Sequence, residues 1–338
     1  MTRVIVRRAV RLLVLLSIVV LLIAMTARKA PLTPAVPQPR PAAALTLFSE
    51  PEAGITPVLN LIRGAKSSVD LVMYQLKDQE VADALIADSK RGVRVRVLLN
   101  HGYLGQASPT NEPAYGYLLS HGIAVKWTPS YFDLTHQKTL VSDGRTALIM
   151  TFNFTPQYYV SGREFGIYDT DQVDVAAIET TFDADWHGVR ISAPVGDGLV
   201  WSPGSARATL GLINGARESL LVYNEEMADP RVTAALVAAA RRGVAVEICM
   251  TYATYWKEPF AELVAAGAQV RTYPISAPLY IHAKMIVADG AAAFVGSENF
   301  SEPSLDRNRE LGLIIKESGI IRQLHSIFGT DWAGARPF

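Results

Sequence analysis

Leu61-Ile62-Arg63-Gly64-Ala65-Lys66 returns as Leu212-Ile213-Asn214-Gly215-Ala216-Arg217, and Arg91-Gly92-Val93 returns as Arg242-Gly243-Val244. Both recurrences lie 151 positions apart, so one register serves the opening part of two halves. Self-similarity at a fixed offset marks a duplicated structural unit. Further along, His136, Lys138, Asp143, Asn153, Glu164 and Trp186 match His282, Lys284, Asp289, Asn299, Glu310 and Trp332 at an offset of 146. A short loop deletion accounts for the change.

Working outward from the repeat, residues 56–66 read as a helix, 69–74 as an apolar strand, 79–89 as an amphipathic helix stopped near Gly92, and 93–99 as a strand. The second half repeats the order with a strand at 220–223, a helix at 231–240 and a strand at 244–250. Helix alternating with buried strand predicts an α/β fold. The expectation is two pseudo-symmetric α/β repeats, residues 46–194 and 195–338, each a mixed sheet flanked by helices. A site at their junction would take equivalent residues from each.

The first half carries His136-Gln137-Lys138, then Asp143, then Met150-Thr151-Phe152-Asn153; the second carries His282-Ala283-Lys284, Asp289 and Gly296-Ser297-Glu298-Asn299. Residues two apart on a strand face the same side, so each strand presents an imidazole and an ammonium together. Two histidines, two lysines and two asparagines around one cavity would cradle a phosphodiester. One imidazole would attack phosphorus while the other protonates the leaving oxygen.

These residues resemble the phospholipase D superfamily, whose signature is H-x-K-x4-D followed by G-S-x-N. The second copy, His282 to Asn299, matches throughout. The first departs at Met150, in place of Gly, and at Thr151, in place of Ser. The hydroxyl of Thr151 is expected to keep a hydrogen bond on the phosphate side, while Met150 adds bulk. By the same resemblance, Glu164 and Glu310, each 28 positions after a histidine, would fix the tautomer of the imidazole in their own half. His136 would be the nucleophile and His282 the general acid. Asp143 and Asp289, with Thr151 and Ser297, would be supporting positions. No metal or other cofactor is implied, since the lysines supply the positive charge.

Residues 1–49 contain seven basic residues and no acid, which leaves 25 basic against 32 acidic residues elsewhere, about −7. That balance argues mildly against a general polyanion binder. Four arginines, an apolar run at 12–27, then Arg28 and Lys29 read as a signal anchor or signal peptide over residues 1–30, with a Pro-rich linker at 31–45. The expected location is therefore outside the cytoplasm, anchored or secreted. Cys249 is the sole cysteine and reads as a core residue. Tyr131, Phe132, Tyr255 and Trp256 are candidates for the cavity mouth, whereas Tyr280 reads as packing.

The leading expectation is a hydrolase that cleaves glycerophospholipids at a membrane surface, giving phosphatidate and a head-group alcohol. A nuclease and a phosphatidyltransferase of the cardiolipin synthase kind are the alternatives, with a degenerate binding scaffold last. One chain holds both motifs, so a monomer is expected to suffice.

Overall fold

The computed structural model of the chain describes residues 44–102 and 110–338. The first half runs β1 (Leu45–Glu50), α1 (Thr56–Gly64), β2 (Ser68–Met73), α2 (Gln79–Lys90), β3 (Arg94–Leu99), α3 (Glu112–Ser120), β4 (Ala124–Trp127), β5 (Lys138–Ser142), β6 (Thr146–Met150), α4 (Pro156–Ser161), β7 (Gly162–Asp169) and α5 (Gln172–His187). The second runs β8 (Leu199–Ser202), α6 (Ala206–Gly215), β9 (Ser219–Tyr223), α7 (Pro230–Arg241), β10 (Ala245–Thr251), α8 (Lys257–Ala265), β11 (Gln269–Tyr273), β12 (Tyr280–Ile281), β13 (Lys284–Ala288), β14 (Ala292–Gly296), α9 (Glu302–Asp306), β15 (Glu310–Ile315), α10 (Ser318–Gly334) and β16 (Arg336–Pro337).

Local chemistry repeats with the sequence. Asp78 caps α2 by accepting from the N–H groups of Glu80 and Val81, and Asp229 caps α7 through Arg231 and Val232. Gly92 and Gly243 then turn the chain back into β3 and β10 at φ of +89° and +90°, a conformation that other residues adopt only with strain.

Each half builds a mixed sheet flanked by helices, as expected. In the first the order is β1-β7-β6-β5-β2-β3-β4, with β2, β3 and β4 parallel and the remaining pairings antiparallel. In the second it is β16-β11-β10-β9-β13-β14-β15-β8. Among the described residues three large apolar cores result, beside a small cluster of Val72, Leu98 and Phe182. One belongs to the first half and includes Val58, Leu85, Val97 and Phe152; another belongs to the second and includes Ile213, Leu236, Ile248 and Phe294. The third is shared, joining Leu47, Ile149, Phe165 and Ile167 to Tyr223, Met285, Val295, Leu313 and Phe328. Burying each such side chain contributes roughly 1.5–3 kcal/mol, so the shared core binds the halves together.

One sequence expectation is corrected here. Among the described residues no helix is long and apolar enough to cross a membrane. The expected anchor at 1–30, and the linker at 31–45 except Ala44 and Leu45, lie outside the described residues. The expected anchored or exported location is therefore not carried further.

Candidate active site

The histidine strands do not stay in their own halves. Tyr280 and Ile281 of β12 pair in parallel with Gly162 and Arg163 of β7, and Ala283 N donates to Arg163 O at 2.9 Å. The symmetric arm does the same: Thr135 bridges to Arg309, and the N–H groups of His136 and Gln137 donate to Arg309 O at 2.9 and 3.0 Å. Because Arg163 and Arg309 immediately precede the two glutamates, each arm delivers its imidazole to the carboxylate of the opposite half. His136 Nδ1 lies 2.8 Å from Glu310 Oε2, and His282 Nδ1 lies 2.5 Å from Glu164 Oε1. The expectation that each glutamate serves the histidine 28 positions before it is thus reversed. Both carboxylates are fully buried, which leaves them no partner in water. Each Nδ1–H donates to its carboxylate; His136 Nε2 is left for chemistry, whereas His282 Nε2 faces Glu225 Oε2 and Lys284 Nζ, both at 3.1 Å.

The two sides are not electrically equivalent. In the first half Tyr74 follows β2 and packs edge-on to His136 at 4.6 Å, while the Lys138 ammonium sits 5.1 Å over the Tyr74 ring and donates to His136 O. At the matching register of the second half, 151 positions on, stands Glu225. Its Oε2 lies 3.1 Å from His282 Nε2 and 3.2 Å from Lys284 Nζ, and its Oε1 accepts from the Tyr280 hydroxyl at 3.0 Å. Tyr158 stacks on the His282 ring at 4.7 Å.

Proton affinities follow that arrangement. Burial, and then the Lys138 charge, depress His136 to about 4 despite Glu310. Burial also disfavours the His282 imidazolium, but Glu164 and Glu225 outweigh it and raise that histidine above its ordinary value. Near neutral pH His136 is neutral, and His282 holds a proton more tightly than an ordinary histidine does. Lys138 is brought down to about 7 by burial and by Lys284. Lys284 is among the forces lowering His136, and His136 among those lowering Glu225, so these groups share one field.

The remaining expected residues fall into place around this centre. The Thr151 hydroxyl donates to Glu164 Oε2 at 2.5 Å and receives the Phe165 N–H at 2.9 Å, so it steadies the carboxylate and does not face the phosphate position. Ser297 bonds the backbone of Leu311, and Ser304 and Asn308 donate to Glu310 Oε1 at 2.5 and 3.1 Å. Asn153 and Asn299 are buried with Oδ1 unpaired among the described residues. Asp143 and Asp289 stand at positive φ, 56° and 54°, and gather the N–H groups of Lys66, Ser67 and Ser68, and of Arg217, Glu218 and Ser219. Although burial opposes it, those N–H groups hold the Asp143 carboxyl near 2. Met150 packs wholly into the first core, opposite Gly166 in β7, so its bulk lies away from the histidines. Cys249 is buried in β10, where burial pushes its thiol up.

Sequence reasoning missed Glu225, Tyr74, Tyr158, Ser304 and Asn308, and read Tyr280 as packing alone. A signal for Glu225 was present: an acid two residues beyond the carboxyl end of a buried parallel strand, where α/β sheets form their sites. Of the expected mouth aromatics, Tyr255 is exposed, Trp256 packs on the second core, and Tyr131 and Phe132 line a separate cavity of about 590 Å³ with Arg190, Trp201 and Arg309. Trp186 stacks on Phe182 and Trp332 on Phe328. Among the described residues no three His, Cys, Asp or Glu side chains gather as a metal-binding group.

Duplicated sheets that exchange histidine arms to complete each other's imidazole–carboxylate pair define an enzyme of the phospholipase D superfamily, and the chain belongs to it. The family described as "Cardiolipin synthase, PLD-like domain" matches residues 58–186 and 210–332. The chain is 28% identical over 329 residues to the major cardiolipin synthase of Bacillus subtilis (strain 168), covering 83% of this chain and 67% of that protein. It is 22% identical over 336 residues to cardiolipin synthase 2 of Staphylococcus epidermidis, with 85% and 67% covered. Among solved structures, phosphatidylserine synthase from Haemophilus influenzae Rd KW20 shares the fold at a TM-score of 0.67 and 14% identity, covering 88% of each chain. These relatives are named as synthases. The expectation that phospholipid hydrolysis is the main reaction is corrected accordingly.

Proposed function

We propose that the protein is a phosphatidyltransferase of the cardiolipin synthase kind, moving a phosphatidyl group from one glycerophospholipid to a hydroxyl of another at a lipid surface. The observation that carries this reading is the asymmetry around the histidines: one carboxylate, Glu310, meets His136, and two, Glu164 and Glu225, meet His282, which leaves the first with lowered and the second with raised proton affinity. Paired groups pushed apart in proton affinity are the usual arrangement of a nucleophile or base and its acid.

His136 Nε2 attacks phosphorus, the phosphorus bond to the head-group oxygen breaks, and the His282 Nε2 proton passes to that oxygen as it leaves. The lipid is then held as a phosphatidyl-histidine. An incoming hydroxyl gives its proton back to His282 while its oxygen attacks phosphorus and the phosphorus–nitrogen bond breaks. Lys138, Lys284 and the Nδ2–H groups of Asn153 and Asn299 stabilise the non-bridging oxygens. Glu310 and Glu164 hold the imidazoles and balance charge as it moves. One chain supplies both histidines, so no second copy is needed.

Incubation with phosphatidylglycerol vesicles tests the reading. It predicts cardiolipin and free glycerol, with His136→Ala and His282→Ala each lowering the rate by at least about a hundredfold, the smaller end of what acid–base groups contribute. Phosphatidate alone, or cleavage of single-stranded DNA with lipid untouched, would reject it.

A further inference from the structure

Among the charged groups beside the histidines, the repeat breaks its symmetry at Glu225. Where the first half places Tyr74 against His136, the second places Glu225 against His282. Among the charged groups at the histidines, Lys138 has a counterpart in Lys284 and Glu310 has one in Glu164. Glu225 does not, and it is not a buried brace, since about a quarter of its side chain remains open to solvent.

We infer that Glu225 marks the alcohol side of the site and selects acceptors that bring a second hydroxyl beside the one that reacts. This rests on the phosphatidyltransferase reading. Two observations support it. A carboxylate held deprotonated next to Lys284 offsets part of that lysine's charge, so a phosphodiester anion is drawn more toward Lys138 and repelled from Glu225. The oxygen nearest His282 Nε2 is then the leaving or entering alcohol oxygen, which is uncharged in the ground state and compatible with a neighbouring carboxylate. Finally, Tyr280 fixes Oε1 and Tyr158 covers the His282 ring, leaving Oε2 in place beside Nε2 at 3.1 Å. An acceptor with vicinal hydroxyls can place one oxygen at Nε2 and donate from the next to Oε2. A monohydric alcohol has a single O–H and cannot make both contacts. The proton of the reacting hydroxyl passes to His282, and Glu225 exchanges none.

The test is a competition. Phosphatidylglycerol vesicles and full-length protein are given equimolar deuterated glycerol and ethanol, and the ratio of deuterated phosphatidylglycerol to phosphatidylethanol is read by mass spectrometry. The wild-type ratio should exceed one clearly, and Glu225→Gln should lower it by at least about tenfold, the size of one lost hydrogen bond to a charged group. Glu225→Asp should retain a polyol preference. A merely structural Glu225 would scale both products together and leave the ratio unchanged, which overturns the inference. A wild-type ratio near one overturns it without any variant. If the wild type forms phosphatidate and no alcohol product, the failure lies with the phosphatidyltransferase reading itself.

Discussion

At the scale of single residues, two imidazoles of the same motif are tuned in opposite directions, and the cause is what surrounds each. His136 has one carboxylate against burial and Lys138; His282 has two, Glu164 and Glu225. In the proposed mechanism turnover requires the first neutral and the second protonated. As pH falls through about 4, His136 gains a proton and the rate should drop; as pH rises past the ordinary histidine value of about 6.5 and on through the raised value of His282, the acid is lost and the rate should drop again. Lys138, near 7, loses its charge on the same alkaline side. A kcat/KM profile should therefore be bell-shaped. Glu164→Gln should pull the alkaline limb to lower pH and leave the acid limb in place. An alkaline limb unmoved by that change would contradict the account of His282.

At the scale of elements, the crossing of the arms decides which carboxylate each histidine meets. Glu310→Gln should shift the ring-nitrogen resonances of His136, and Glu164→Gln those of His282, in spectra of protein labelled with 15N-histidine. The opposite pattern would mean that each half serves itself. The sequence made the repeat, the strands, the doubled motif and the turn aspartates legible, because each depends on local pattern: apolar runs, H-x-K on one strand face, a glycine at positive φ. The crossing was not legible, because it depends on β12 adding to β7 and Thr135 bridging Arg309, contacts set by tertiary packing. Spacing along the chain placed Glu164 nearer to His136, and spacing misled. Thr151 was assigned to the phosphate for a related reason: its neighbour Glu164 lies on the adjacent strand, a pairing that only the register reveals.

At the scale of the whole molecule, the same exchange locks the halves together. Arg163 of the first half binds Asp331 of the second through Nε at 2.6 Å, and Arg309 of the second binds Asp185 of the first at 2.9 Å, all four side chains being buried. Removing one partner leaves an uncompensated buried charge, so Arg309→Ala should cost about 3–5 kcal/mol in denaturant unfolding. A loss under about 1 kcal/mol would place that pair outside the fold's main supports. The active site is thus a property of both halves at once, with the nucleophile of one steadied by the carboxylate of the other. The most direct measurement is to mix the protein with phosphatidylglycerol vesicles for milliseconds, quench in alkali, which preserves phosphohistidine, and locate the adduct by peptide mass spectrometry. The account predicts a phosphatidyl group on His136. An adduct on His282, or cardiolipin accumulating with neither histidine modified, would contradict it.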